Sequence, residues 1–249
     1  MSTIHALVKA YRPSRFLSHQ SVFQLSEAPT RVAERNERRC GLSFRQEALL
    51  YVLANRSIRL AAGHFELSPE ALGPLKGDWK FVTVLRDPVD RWFSQYFYNF
   101  GRNGKFGIQE ELGPFLESDY AQEMGRLYVR HFSCCFDVEP EDVPAATEAA
   151  IENVRRFDVI GRTDRMAVFA KDLRRATGLR CRFGQHNVGG NRRQRAAEIE
   201  EATVARVREL CRPDYAVFES VFARTNGRDR NFVVQQADAP LARNLAKGQ

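Results

Sequence analysis

The stretch KFVTVLRDPVDRWFSQYFYNF, residues 80–100, changes from an apolar run to a charged turn within a few positions. The apolar run VTVL at 82–85 is typical of a strand that is buried on both faces in a parallel sheet. Arg86 stands where this strand should end, and Pro88 suits the first turn of a following helix, where its missing N–H costs little. Because ligands bind at the carboxyl ends of such strands, the stretch predicts a parallel α/β sheet with a site at Arg86.

The same stretch carries Ser94, eight positions after Arg86 and on the predicted helix. A guanidinium fork and a helix hydroxyl that face one spot form a suitable grip for a phosphate group. The alternative is an ordinary turn in which Arg86 pairs with Asp87 or Asp90 and Ser94 is only hydrated.

The remainder of the chain alternates between strand and helix patterns. Apolar runs predict strands at 3–8, 57–65, 80–85 and 158–165, and helical spacing predicts helices at 43–56, 143–157, 166–178 and 196–212. Ser43 is the expected N-cap of the first helix, Gly178 the expected end of the third, and Pro213 the stop of the fourth. This alternation predicts a three-layer α/β fold with a central parallel sheet flanked by helices. Residues 1–224 are expected to form a single domain, and 225–249, which lack periodicity, a loose tail.

Composition narrows the class of ligand. The chain has 249 residues, 43% of them hydrophobic, and a net charge of +7, which suits an anionic ligand such as a nucleotide or an acidic glycan. Its basic residues are spread out rather than clustered with exposed aromatics, so nucleic acid is not the expected partner. Five cysteines with no Cys-x-x-Cys spacing predict neither a disulfide framework nor a metal site. No signal peptide or membrane span is recognised, so the expected location is the cytoplasm.

Four segments occur in an order that points to a family. They are AAGHF at 61–65, TVLRDPVDRWFSQYF at 83–97, AIENVRRFDVIGRTDRMAVFAKDL at 150–173, and QHNVGGNRR at 185–193 followed by DYAVF at 214–218. Together they resemble the carbohydrate sulfotransferase family that includes the heparan sulfate 2-O-sulfotransferases and many bacterial relatives. The resemblance implies a P-loop-like fold, PAPS (3′-phosphoadenosine-5′-phosphosulfate) as sulfuryl donor, and no metal. It also implies a hydroxyl-bearing acceptor, most commonly a glycan, and it gives no indication of the oligomeric state.

The resemblance assigns roles to the residues around the opening stretch. Arg86 and Ser94 would hold the 3′-phosphate that distinguishes PAPS from ordinary adenine nucleotides. His64, in the Gly-His-Phe segment, would be the base that takes the proton of the acceptor hydroxyl. A purely structural histidine is the alternative for His64.

The family's donor loop would lie near the N-terminus. VKAYRPSRF at 8–16 keeps Lys9 and Ser14 at the lysine-to-serine spacing of the family, and Arg12 offers a further donor to the 5′-phosphate. The loop glycines are absent, although glycine is what lets backbone N–H groups approach a phosphate closely. A second register, SEAPTRVA at 26–33, keeps a threonine and has no lysine. We prefer the first register, in which Lys9 would stabilise charge on the leaving phosphate oxygen.

Two further arginines and three competing functions complete the predictions. Arg192 and Arg193 would close over the nucleotide or meet an anionic acceptor; the alternative is a solvated basic turn. A P-loop kinase would require Gly-x-x-x-x-Gly-Lys-Ser/Thr, which is absent. A nucleic-acid-binding protein would expose its aromatics, whereas those of 81–97 recur at spacings that suit a core. A non-catalytic relative with a degenerate donor loop is the third alternative.

Overall fold

The computed structural model of the protein describes residues 22–36, 41–104, 106–135, 138–183 and 199–222. Within these ranges, helices and short strands follow one another along the chain. The strands are β1 (Val22–Gln24), β2 (Leu60–Ala62), β3 (Val82–Leu85) and β4 (Val159–Arg162). The helices are α1 (Glu27–Asn36), α2 (Gly41–Ala54), α3 (Pro69–Leu72), α4 (Pro88–Asn99), α5 (Leu112–Phe115), α6 (Asp119–Gly125), α7 (Leu127–Phe132), α8 (Val143–Val154), α9 (Met166–Thr177), α10 (Glu201–Leu210) and α11 (Arg212–Phe222).

The strands of the described residues form two parallel pairs. β1 pairs with β2, with Val22 opposite Leu60, and β3 pairs with β4, with Leu85 opposite Arg162. The α/β class is therefore confirmed, and so is the parallel direction of the strands. The two pairs are separate two-stranded sheets within the described residues, so the continuous central sheet of a three-layer fold stays a prediction. The expected strand at 3–8 lies outside the described residues.

Several element boundaries differ from the expected ones. The strand predicted at 57–65 is shortened to β2, because a turn closed by the Asn55 side chain, which accepts from the Ser57 amide and hydroxyl, precedes it. The prediction of Ser43 as an N-cap is wrong, since α2 begins at Gly41 and Ser43 lies inside the helix. The prediction for Gly178 is confirmed: it ends α9 in the left-handed region with φ 75°, and its N–H donates to the Arg174 carbonyl.

The apolar face of α4 is buried, and this fixes the helix that follows Arg86. Trp92 is fully buried, packs against the rings of Tyr96 and Phe115, and donates from its indole N–H to the Ala121 carbonyl at 3.0 Å. Fully burying a large apolar side chain contributes about 1.5–3 kcal/mol. The aromatic spacing of 81–97 thus makes core rather than an exposed surface, as predicted, since Phe81, Trp92 and Phe93 are buried and Phe97 packs against the cluster of Trp92 and Phe93.

Within the described ranges, no helix is both long enough and apolar enough to cross a membrane.

Candidate functional site

Arg86 lies at the carboxyl end of β3, immediately before the N-terminus of α4. Its side chain is exposed, and within the described residues its guanidinium makes neither a hydrogen bond nor an ion pair. Asp87 is the N-cap of α4, and its Oδ1 accepts from the amides of Val89 at 3.0 Å and Asp90 at 3.1 Å. The strand end therefore presents a free cationic fork beside the positive end of a helix dipole, which is a favourable place for an anion.

The carboxylate of Asp87, the residue after Arg86, accepts hydrogen bonds from other groups. Besides the two α4 amides, Asp87 accepts from the Tyr215 hydroxyl on α11, at 2.9 Å to Oδ2 and 3.0 Å to Oδ1. Burial raises the pKa of Tyr215, and its hydrogen bond to Asp87 raises the pKa further, so the phenol keeps the proton that it donates. Among the described residues, neither Asp87 nor Asp90 makes an ion pair with Arg86. Burial and the charge of Asp87 raise the pKa of Asp90, and the charge of Arg86 opposes that rise.

The backbone of Arg86 is held by a second tyrosine. The Tyr128 hydroxyl on α7 accepts from the Arg86 amide at 2.9 Å and donates to the Arg86 carbonyl at 2.7 Å. Burial raises the pKa of Tyr128 to about 12, so its hydroxyl remains protonated at neutral pH and keeps both roles. One side chain thus satisfies both polar backbone groups of the residue at the strand end.

A buried ion pair lies beneath this turn. Asp214, at the start of α11 and fully buried, accepts through Oδ1 from the amides of Tyr128 at 2.8 Å and Val129 at 3.0 Å. Its Oδ2 lies 3.1 Å from the Arg91 guanidinium on α4, which also donates to the Met124 carbonyl. Burial raises the pKa of Asp214 to about 6, and the charge of Arg91 opposes that rise. The pair joins α4, α7 and α11 at one point.

Ser94 lies on α4, six residues after Pro88, or about 9 Å along the helix axis at 1.5 Å per residue. Its side chain is half-buried, and within the described residues its hydroxyl has no hydrogen-bond partner. Arg86 and Ser94 are therefore both open to an additional ligand, with Arg86 before the helix and Ser94 near the end of its second turn.

His64 follows β2 by two residues and is exposed. The preceding Gly63 lies where β1 and β2 meet, and a Cβ at that position would come within 2.4 Å of the Leu25 Cβ. A larger residue at this position would therefore push the segment after β2 away from Leu25, just before the histidine. Gly63 thus allows the backbone to pass close to Leu25, and His64, which follows it, is exposed at the surface.

Glu66, two residues after His64, connects this segment to α7. The Glu66 carboxylate is fully buried, with Oε2 at 3.0 Å from His131 Nδ1 and Oε1 without a hydrogen-bond partner among the described residues. His131 lies on α7 three residues after Tyr128, so both side chains project from neighbouring positions of one helix face. A single helix therefore contacts both the Arg86 turn and the segment that carries His64.

The five predicted residues of the donor loop and closing segment lie outside the described residues: Lys9, Arg12, Ser14, Arg192 and Arg193. The second register of the donor loop, at 26–33, is described and forms the turn after β1 and the start of α1. Its Thr30 is 4% exposed, donates to the Ser26 carbonyl at 3.3 Å, and accepts from Arg45 at 3.5 Å. A hydroxyl that is buried and bonded in this way is not available to a phosphate, whereas the first register lies outside the described residues and stays a prediction.

Four residues of the site were not predicted from the sequence: Arg91, Tyr128, Asp214 and Tyr215. Arg91 belongs to the Arg-Asp-Pro-Val-Asp-Arg block, and Asp214 and Tyr215 begin the DYAVF segment. Both segments contribute to the family resemblance. That resemblance was the sequence feature that could have drawn attention to Arg91, Asp214 and Tyr215. Tyr128 follows no recognisable motif.

No model of a known protein family matches the chain, and no curated protein matches it. Within the part of the chain that the structure describes, no group of three or more histidine, cysteine or acidic side chains is arranged to hold a metal ion.

Proposed function

We propose that this protein is a PAPS-dependent sulfotransferase that moves a sulfuryl group to a hydroxyl of a carbohydrate or related acceptor. The proposal includes a three-layer, P-loop-like arrangement of the whole domain. The observation that carries it is the Arg86 turn. There an exposed guanidinium that makes no hydrogen bond or ion pair among the described residues lies between a parallel strand and a helix N-terminus.

Arg86 and Ser94 are proposed to hold the 3′-phosphate of the donor. A phosphate at the strand end would accept a bidentate pair of hydrogen bonds from the guanidinium and a further one from the serine hydroxyl. The adjacent carboxylate is consistent with this role, because Asp87 accepts from α4 amides and from Tyr215 and makes no ion pair with Arg86 among the described residues.

His64 is proposed to be the general base. In the reaction, the acceptor oxygen forms a bond to sulfur while the bond between sulfur and the bridging phosphate oxygen breaks. The proton of the acceptor hydroxyl goes to the imidazole, and 3′-phosphoadenosine 5′-phosphate leaves as the product. The exposure of His64 and the shared contacts of α7 with Glu66 and with Arg86 support a common site.

The remaining assignments rest on the sequence resemblance. Lys9 is proposed to stabilise charge on the leaving oxygen, with Arg12 and Ser14 as further donors to the 5′-phosphate. Arg192 and Arg193 are proposed to close over the nucleotide or to meet an anionic glycan.

Calorimetric titration with the product nucleotide and with an analogue that lacks its 3′-phosphate tests the proposal. The wild-type protein should bind 3′-phosphoadenosine 5′-phosphate more tightly than adenosine 5′-phosphate, which lacks only the 3′-phosphate. Charge-assisted contacts contribute ~1.5–3 kcal/mol each, so Arg86→Ala should weaken binding of the bisphosphate at least tenfold and hardly change binding of the monophosphate. Arg155→Ala, which removes an exposed arginine after α8, is the matched control and should change neither affinity.

Two results would contradict the proposal. A wild-type protein that binds both nucleotides equally, or binds neither, has no 3′-phosphate site. Equal losses for both nucleotides in Arg86→Ala would mean that Arg86 supports the fold rather than the phosphate.

A further inference from the structure

We infer that Tyr128 and Tyr215 are positioning residues whose hydroxyls hold the Arg86–Asp87 turn in the geometry that recognises a 3′-phosphate. The inference rests on the proposed function and adds two residues, from α7 and α11, that act through Arg86 rather than by touching the nucleotide.

Among the described residues, the hydroxyl of Tyr128 hydrogen-bonds only to the backbone of Arg86. It accepts from the amide and donates to the carbonyl of that one residue, which fixes the peptide groups on both sides of its Cα. The direction of the Cβ bond, and with it the start of the guanidinium arm, follows from the orientation of these peptide groups. A bidentate contact requires the fork to approach the phosphate in one orientation, so a fixed starting point reduces the entropy that binding would otherwise cost.

The hydroxyl of Tyr215 acts on the competing carboxylate. Asp87 follows Arg86 directly, so its carboxylate is an acidic group that a small rotation could bring to the guanidinium. Tyr215 donates to this carboxylate at 2.9–3.0 Å, in addition to the two α4 amides that bond to Oδ1. Without the phenol, Oδ2 of Asp87 would lose its only hydrogen bond among the described residues and would be free to turn toward the guanidinium.

In both tyrosines the aromatic ring packs in the core, while the hydroxyl contacts the Arg86–Asp87 turn. The contribution of each hydroxyl can therefore be tested without removing the ring. The Tyr128 ring is buried beside Phe132, with the Arg91 guanidinium 5.2 Å from its centroid, and a phenylalanine would keep both contacts. The Tyr215 ring packs against the core around Trp92, and its hydroxyl points to the turn. A Tyr→Phe change at either position therefore removes the contact to the turn and leaves the packing in place.

The experiment measures the ratio of the two nucleotide affinities in Tyr128→Phe and Tyr215→Phe. Each variant should lower the preference for 3′-phosphoadenosine 5′-phosphate over adenosine 5′-phosphate at least threefold, with the affinity for the monophosphate unchanged. The matched control is Tyr96→Phe, which removes a hydroxyl that donates to the Glu110 carbonyl away from the turn and should keep the wild-type ratio. The double variant Arg86→Ala/Tyr128→Phe should have the same ratio as Arg86→Ala, because Tyr128 acts through Arg86.

The outcomes separate this inference from the proposed function. A wild-type protein without preference for the bisphosphate overturns the proposed function, and the inference with it. A clear wild-type preference that both phenylalanine variants retain overturns the inference alone, as does a double variant whose ratio falls below that of Arg86→Ala. If Tyr128→Phe does not yield folded protein, Tyr215→Phe, whose side chain is only half-buried, decides by the same ratio.

Discussion

Removing the carboxylate of Asp214 should be among the most destabilising single changes in this protein. Asp214 is fully buried, and one oxygen accepts two backbone amides while the other pairs with Arg91, itself buried. Breaking one side of a buried ion pair costs ~3–5 kcal/mol, because the remaining charge has no compensating partner. Asp214→Ala also leaves the Tyr128 and Val129 amides without an acceptor, at ~1–3 kcal/mol each.

Asp214→Asn is the more informative variant, because its amide oxygen can still accept from the two backbone amides. Asp214→Asn should therefore lower the free energy of unfolding by ~3–5 kcal/mol, through loss of the ion pair alone. At ~2–4 °C per kcal/mol for a chain of this size, the melting temperature should fall by ~6–20 °C. Urea unfolding at pH 7.5, followed by circular dichroism, gives the free energy directly.

A double variant tests whether this loss of stability arises from the ion pair between Arg91 and Asp214. Arg91→Met removes the buried charge and keeps much of the side-chain volume, so Asp214→Asn/Arg91→Met should be more stable than the sum of the two single losses, by at least ~1 kcal/mol. Strict additivity would refute the reasoning, and so would a cost of less than ~1 kcal/mol for Asp214→Asn.

Two further predictions concern the Arg86 turn and His64. Asp87→Ala should cost ~0.5–2 kcal/mol by loss of the α4 N-cap, whereas Asp87→Asn, which can still cap, should retain most of the stability in the same urea assay. His64→Ala should reduce sulfuryl transfer to a glycan acceptor ~10²–10⁴-fold, with an unchanged melting temperature and unchanged product-nucleotide affinity; a rate loss that only follows loss of folded protein would mean a structural histidine.

The region from β3 to α4 could be predicted because its signals are local. An apolar run, an aspartate in the N-cap position and a proline at the first helical turn lie within seven residues, and each acts through its nearest neighbours. The short strand β1 and helix α1 were not predicted, because VFQ is too short to show a period and the following SEAPTR carries few apolar residues.

The partners of the turn could not be predicted for a different reason. Arg91 and Asp214 are separated by 123 positions, and each taken alone has the appearance of an ordinary surface charge. Only the packing of α11 against α4 and α7 buries both of them, and no local pattern encodes that approach. The same holds for Tyr128, whose hydroxyl reaches a residue 42 positions earlier in the chain.

The long separation between Arg91 and Asp214 has a consequence for biosynthesis. A ribosome releases β3 and α4 well before it has made α11, so the growing chain contains the Arg86 turn when neither Asp214 nor Tyr215 yet exists. During that interval Arg91 has to remain hydrated, since burying its charge without Asp214 would be costly. Contacts of such high sequence separation form late, after the entropy of closing the intervening chain has been overcome. Docking of α11 therefore completes the contacts of the Arg86 turn, and a chain cut before residue 212 should lack the hydrogen bond from Tyr215 to Asp87.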